Sequence, residues 1–83
     1  MHRTTPQFWN LFYQLLESVQ NLARKNFELL KQNPRHPSLH FKKVGPLWSA
    51  RVGLSHRALA VADGEDFIWV WIGHHDEYDR LVG

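Results

Sequence analysis

Leu47-Trp48-Ser49-Ala50-Arg51-Val52-Gly53 alternates between two faces, and Arg57-Ala58-Leu59-Ala60-Val61-Ala62 does so again after the short connection Leu54-Ser55-His56. Successive side chains of an extended chain point to opposite sides, so Trp48, Ala50 and Val52 share one face and Leu47, Ser49, Arg51 and Gly53 the other. In the second run Arg57, Leu59 and Val61 share a face. So short a connection makes the runs antiparallel neighbours, with Arg51 and Arg57 close to their turn. Asp63-Gly64-Glu65-Asp66 turns the chain again. Phe67 to Gly73 (Phe-Ile-Trp-Val-Trp-Ile-Gly) is apolar on both faces, the pattern of a central strand. The result is a meander, and His74-His75 leaves its last strand.

Upstream, Leu39 to Val44 alternates Leu39 and Phe41 against His40 and Lys42, which predicts another strand, turned by Gly45-Pro46. Before it lie two helical stripes. Thr5 caps and Pro6 opens the first, with Phe8, Leu11, Phe12, Leu15 and Leu16 on one side. Val19, Leu22, Ala23, Phe27 and Leu30 form the second. Their phases differ, so a bend is expected near Leu16–Ser18, with Ser18 as a cap. The second helix stops by Asn33-Pro34, because the residue before proline disfavours helix. Asp76 to Leu81 predicts a short final helix with acidic residues in its first turn. Helices followed by a meander give an α+β fold: an N-terminal helical hairpin on a twisted, mainly antiparallel sheet of about four strands.

Eighty-three residues make one domain, 1–83, and a chain this short is marginal alone unless aromatic burial or a partner supports it. It has no cysteine, so neither disulfide nor thiolate zinc can staple it. No apolar run approaches the roughly 20 residues of a membrane span. Met1 to Pro6 leads into no signal-peptide core. A cytoplasmic protein without membrane contact is expected. The net charge of +2 conceals a segregation. Residues 24–57 hold eight Lys and Arg against Glu28 alone, while 58–83 hold Arg80 against six carboxylates. A local positive field attracts polyanions.

Arginine on a core strand is costly unless it meets an anion or water. Arg51 and Arg57, beside a histidine pair, suggest a phosphate site. RNA carries its own nucleophile, the 2′-hydroxyl. Its cleavage therefore needs only a base, a cationic clamp for the phosphorane and an acid for the leaving oxygen. Arg57 and Arg51 suit the clamp, His75 or His74 the proton transfers, and Tyr78 the stacking or positioning of substrate. Lys42, Lys43 and His40 are candidate RNA contacts. The bland alternatives are an ion pair of Arg51 with Asp76 or Glu77, a packing role for Tyr78, and surface roles for His36 and His40. Trp69 and Trp71 are assigned to the core. No metal ligand set and no cofactor are expected, because adjacent histidines on a strand point opposite ways and rarely share an ion.

The ordered set of Val19-Gln20, Asn33-Pro34 with His36-Pro37, Trp48-Ser49-Ala50-Arg51-Val52, His56-Arg57-Ala58-Leu59 and Ile72-Gly73-His74-His75-Asp76-Glu77-Tyr78 resembles the RelE/ParE superfamily of toxins of type II toxin–antitoxin pairs. The resemblance implies a small α+β domain and an antitoxin that fills an apolar groove. It implies one of two activities: metal-independent cleavage of mRNA in the ribosomal A site, or poisoning of DNA gyrase. A member that only binds its partner is the third alternative. Arg57 matches the family's strand arginine, and Arg51 a basic position of the preceding strand. His75 falls near the basic or histidine position after the last strand, and Tyr78 near the C-terminal tyrosine. Ser49 departs from the lysine of many active nucleases, His75 stands for a frequent arginine, and the usual first strand is expected to be missing because a helix begins by Pro6.

Overall fold

The computed structural model describes residues 1–82; Gly83, the last position of the expected domain, lies outside the described residues. In chain order the elements are β1 (His2–Thr4), α1 (Pro6–Phe12), α2 (Glu17–Gln32), a 3-10 turn (Pro37–Leu39), β2 (Lys42–Val44), β3 (Leu47–Val52), β4 (His56–Asp63), β5 (Asp66–His74) and α3 (His75–Val82). The strands form one sheet in the order β1-β5-β4-β3-β2. The expected α+β class and meander hold, with every pairing antiparallel except β1, which runs parallel to β5.

Helices α1 and α2 cover one face of the sheet. Phe8 and Phe12 of α1 and Leu30 of α2 are buried against Ala50, Ala58, Ala60, Trp69 and Ile72. The alanines let the helix backbones approach, and Trp69 fills the space between. Burying one large apolar side chain of this kind contributes about 1.5–3 kcal/mol. Thr5 caps α1 as expected: its Oγ accepts from the Phe8 N–H at 3.2 Å, and its hydroxyl donates to the Trp69 carbonyl at 3.2 Å, tying α1 to β5.

Several elements differ from the sequence reading. A first strand is present: three residues suffice, with His2, Arg3 and Thr4 paired to Phe67, Ile68 and Trp69. Its anchors are polar, Arg3 to Asp63 at 2.7 Å and Trp69 Nε1 donating to His2 Nδ1 at 3.0 Å. The first helix stops at Phe12, and Leu16, not Ser18, precedes α2, without any side-chain cap bond. Leu39 belongs to the 3-10 turn, and His40 breaks the expected strand with a left-handed φ of 44°. His56 lies on β4 and not in the connection. Helix α3 begins at His75, one residue early, although the His75 N–H still donates to the Ser55 carbonyl at 2.8 Å in continuation of the β4–β5 register. No helix among the described residues is long and apolar enough to cross a membrane.

Candidate active site

The sheet's second face, turned away from α1 and α2, carries the arginines. Arg51 of β3 and Arg57 of β4 are direct cross-strand partners, and Arg57 is in turn opposite Gly73 of β5. Directly opposed residues share a face with Cβ atoms about 4.5–5.5 Å apart, so two like charges sit side by side, an arrangement that costs stability. Both side chains are half-buried. Among the described residues no carboxylate lies within ion-pair distance of either guanidinium. The structural pair of Arg51 with Asp76 or Glu77 is therefore not formed.

Three local devices hold this pair. The Arg51 Nε donates to the Gly53 carbonyl at 3.0 Å, which turns its terminal nitrogens outward. One of these donates to His40 Nε2 at 3.3 Å, and the left-handed backbone of His40 is what aims that ring at Arg51. The Arg57 guanidinium lies over the Tyr78 ring, 5.2 Å from its centre. Tyr78 is buried, so α3 packs on this face with Tyr78 as its anchor. Lys42, paired to Ser49, shares the arginine face, whereas Lys43, paired to Trp48, has the helix-side orientation.

Trp71 belongs here too, against its assignment to the core. Register shifts between Leu59 and Ala60: Leu59 pairs with Trp71 and Ala60 with Trp69, leaving Val70 as the extra residue. Such a bulge re-aims side chains. Trp69 and Ile72 then both face the helices, and Trp71 turns to the arginine side, half-buried. There its ring lies across Gly73, so close that an added Cβ would meet the indole at 2.6 Å. The sequence signal was the unbroken apolar run itself; nothing in it marks where the period shifts. Beneath, Ser49 is fully buried with an unpartnered hydroxyl, in the place of the expected family lysine.

The histidines gather separately. His56 and His74 are cross-strand partners whose rings meet edge-on at 5.4 Å. His74 and His75 stack at 4.5 Å, contrary to the opposed directions expected of strand neighbours, because the strand ends between them. Asp76 lies 3.5 Å from His74 Nδ1 and 3.3 Å from His75 Nδ1. The pKa of His56 is lowered, first by partial burial and then by the nearby His74 and His75. By strand alternation His56 and His74 have the orientation opposite to Arg57 and Gly73. His75 differs: three residues before Tyr78 on α3, it lies on the same side of that helix. Among the described residues no hydrogen bond, ion pair or ring contact joins His74 or His75 to the arginines.

Across this face the order is thus His40, Arg51, Arg57 and Gly73, while His75, stacked on His74, belongs to the histidine cluster at the end of β5. It is a surface shelf, not a deep hollow. A half-open cavity of about 90 Å³ lies on the other side of the sheet among Phe8, Phe12, Leu30, Trp69 and Ile72. A shelf with two guanidiniums that lack a carboxylate partner, an indole, and the His40 imidazole at its edge can hold a phosphodiester and stack a base.

No protein-family model and no curated protein matches the sequence. Solved structures do match. A chain of the RelB–RelE antitoxin–toxin complex from Methanococcus jannaschii aligns with a TM-score of 0.74 at 13% identity, over 98% of this chain and 99% of that one. YafQ from Escherichia coli gives 0.69 at 13% identity, over 94% and 96%. A chain of the RelBE2 toxin–antitoxin complex from Mycobacterium tuberculosis gives 0.67 at 19% identity, over 89% and 95%. With its sheet order, its two helices on one face and its third at the end of β5, the chain has the fold of the RelE/ParE superfamily of toxins.

Proposed function

We propose that the protein is the toxin of a type II toxin–antitoxin pair and a metal-independent endoribonuclease that cuts mRNA on the ribosome. The observation that carries this reading is the Arg51–Arg57 pair: two like charges on neighbouring strands, half-buried and without a carboxylate. A fold keeps such a pair at a cost unless an anion repays it, and each guanidinium can hold two phosphate oxygens.

In this mechanism the scissile phosphate lies between Arg51 and Arg57, which neutralise the charge of the phosphorane. Tyr78 holds Arg57 in place from below, and Trp71 stacks a neighbouring base. The 2′-hydroxyl is the nucleophile. As the 2′-oxygen bonds to phosphorus and the bond to the 5′-oxygen breaks, one imidazole takes the 2′ proton and a second gives a proton to the leaving 5′-oxygen, His40 from beside Arg51 and His75 from the start of α3. His74 supports His75 by stacking. Lys42 extends the positive track along the RNA, and Lys43 adds charge at the edge strand. In the cytoplasm a cognate antitoxin would hold the single domain of residues 1–83 inactive.

The test is inducible expression with mapping of mRNA ends, beside a DNA-supercoiling assay on purified protein. Cleavage within coding sequence, abolished in Arg57→Ala and His75→Ala, supports the nuclease. Arrest that persists in both variants, or inhibition of gyrase, overturns it in favour of a gyrase poison. Absence of both activities points to a member that only binds its partner.

A further inference from the structure

We propose that His74, His75 and Asp76, with His56 and Asp79 at the margin, form a site for a late first-row divalent cation, Zn²⁺ being the reference ion. This goes beyond the nuclease reading and does not depend on it. His74, His75 and Asp76 each offer a donor atom, and these atoms all lie within 4.8 Å of one another. Two ligands at tetrahedral angles on zinc, with bonds of about 2.0–2.2 Å, stand about 3.4 Å apart. The Asp76 carboxylate oxygens lie 3.5 Å from His74 Nδ1 and 3.3 Å from His75 Nδ1.

The backbone explains why these neighbours converge. His74 ends β5 and His75 begins α3, so the change from extended to helical backbone swings the second ring onto the first, at 4.5 Å. From His75, Asp79 is one helical turn on, with an oxygen 4.0 Å from His75 Nδ1. That four-residue spacing places two ligands on one helix face. His56 meets His74 at 5.4 Å, and its Nδ1 is engaged by the Ser55 hydroxyl at 2.8 Å, which leaves Nε2 for an ion. Imidazole nitrogens with carboxylate oxygens are the donors that late first-row ions prefer over Mg²⁺.

Two terms oppose binding. The helix N-terminus disfavours a cation, and Asp76 and Glu77 in its first turn offset this. His74 Nδ1 accepts the Asp76 backbone N–H at 3.2 Å, a long bond that the metal would replace. The rings of His74 and His75 are nearly half exposed, so entry needs no opening of the fold.

The experiment is calorimetric titration of the chelator-treated full-length chain with ZnCl₂ at neutral pH. The site predicts saturation at one ion per chain. Affinity falls at least about tenfold in His75→Ala and in Asp76→Asn and is unchanged in His36→Ala and in excess Mg²⁺. Should a variant lose its fold, zinc X-ray absorption on the unaltered chain decides, with two or three imidazoles per ion expected. No saturable binding, undiminished affinity in folded His75→Ala, or a zinc shell with fewer than two imidazoles overturns the proposal.

Discussion

The Arg57 guanidinium carbon stands 5.2 Å from the centre of the Tyr78 ring, so α3 is docked on one of the two arginines of the candidate site. A cation over an aromatic face gains about 0.5–2 kcal/mol, depending on how far both are desolvated. Tyr78→Phe keeps ring and contact and should cost under about 1.5 kcal/mol in denaturant unfolding. Tyr78→Ala removes a buried ring and should cost about 3–5 kcal/mol, with α3 losing amide-exchange protection first.

Arg51→Ala and Arg57→Ala should separate function from stability. Each relieves a like-charge pair, so the unfolding midpoint should hold or rise slightly in Arg51→Ala, while Arg57→Ala also loses the Tyr78 contact and should cost at most about 0.5–2 kcal/mol. Cleavage should fall by about 10²-fold or more in each, the scale of losing one donor to the transition-state anion. The check is gel-resolved cleavage of a defined mRNA in a purified translation mixture, with chemical unfolding of the same samples.

Gly73→Ala tests the Trp71 shelf. The new Cβ would meet the indole at 2.6 Å, so the ring must move off Gly73. Overpacking of this kind costs about 1–3 kcal/mol. A shift in tryptophan fluorescence with weaker RNA binding is the expected readout; unchanged fluorescence would mean that Trp71 rests elsewhere.

Ser49→Ala should stabilise. The buried hydroxyl has no partner, and removing it relieves a desolvation cost of about 1–3 kcal/mol. The expected gain is on the order of 1 kcal/mol in urea unfolding, with cleavage unaffected.

His2 makes the fold sensitive to acid. Its pKa is lowered by partial burial, and then by the N-terminal ammonium and Lys31. The neutral ring is also the one that accepts from Trp69 Nε1 at 3.0 Å. A base with a lowered native pKa binds protons more readily when unfolded. Its contribution is therefore complete above the ordinary histidine range and is lost as pH falls through that range to the native value. Unfolding free energy should drop as pH falls through and below the ordinary histidine value of 6.5, and the drop should shrink in His2→Phe.

Zinc and proton transfer compete for His75 if both readings hold. Added Zn²⁺ should then inhibit cleavage and a chelator restore it, while Arg57→Ala leaves zinc affinity unchanged.

The central meander was legible because alternation and short connections suffice to place Arg51 opposite Arg57. What escaped were features governed by single residues. β1 has three residues and a parallel partner far along the chain, so no local pattern announces it. Val70 shifts the period by one and moves Trp71 across the sheet. His40 reaches Arg51 through a left-handed backbone that a non-glycine residue seldom adopts. One residue's difference in where β5 ends turned two diverging imidazoles into a stacked pair.

The parallel pairing of His2 with Phe67 has a consequence for biosynthesis. During translation the opening strand must wait, unpaired, until the tryptophan-rich segment has been made. Contacts between such remote positions are slow to form. The indole, both guanidiniums and the tyrosine platform likewise become one surface only once β5 and α3 have been made.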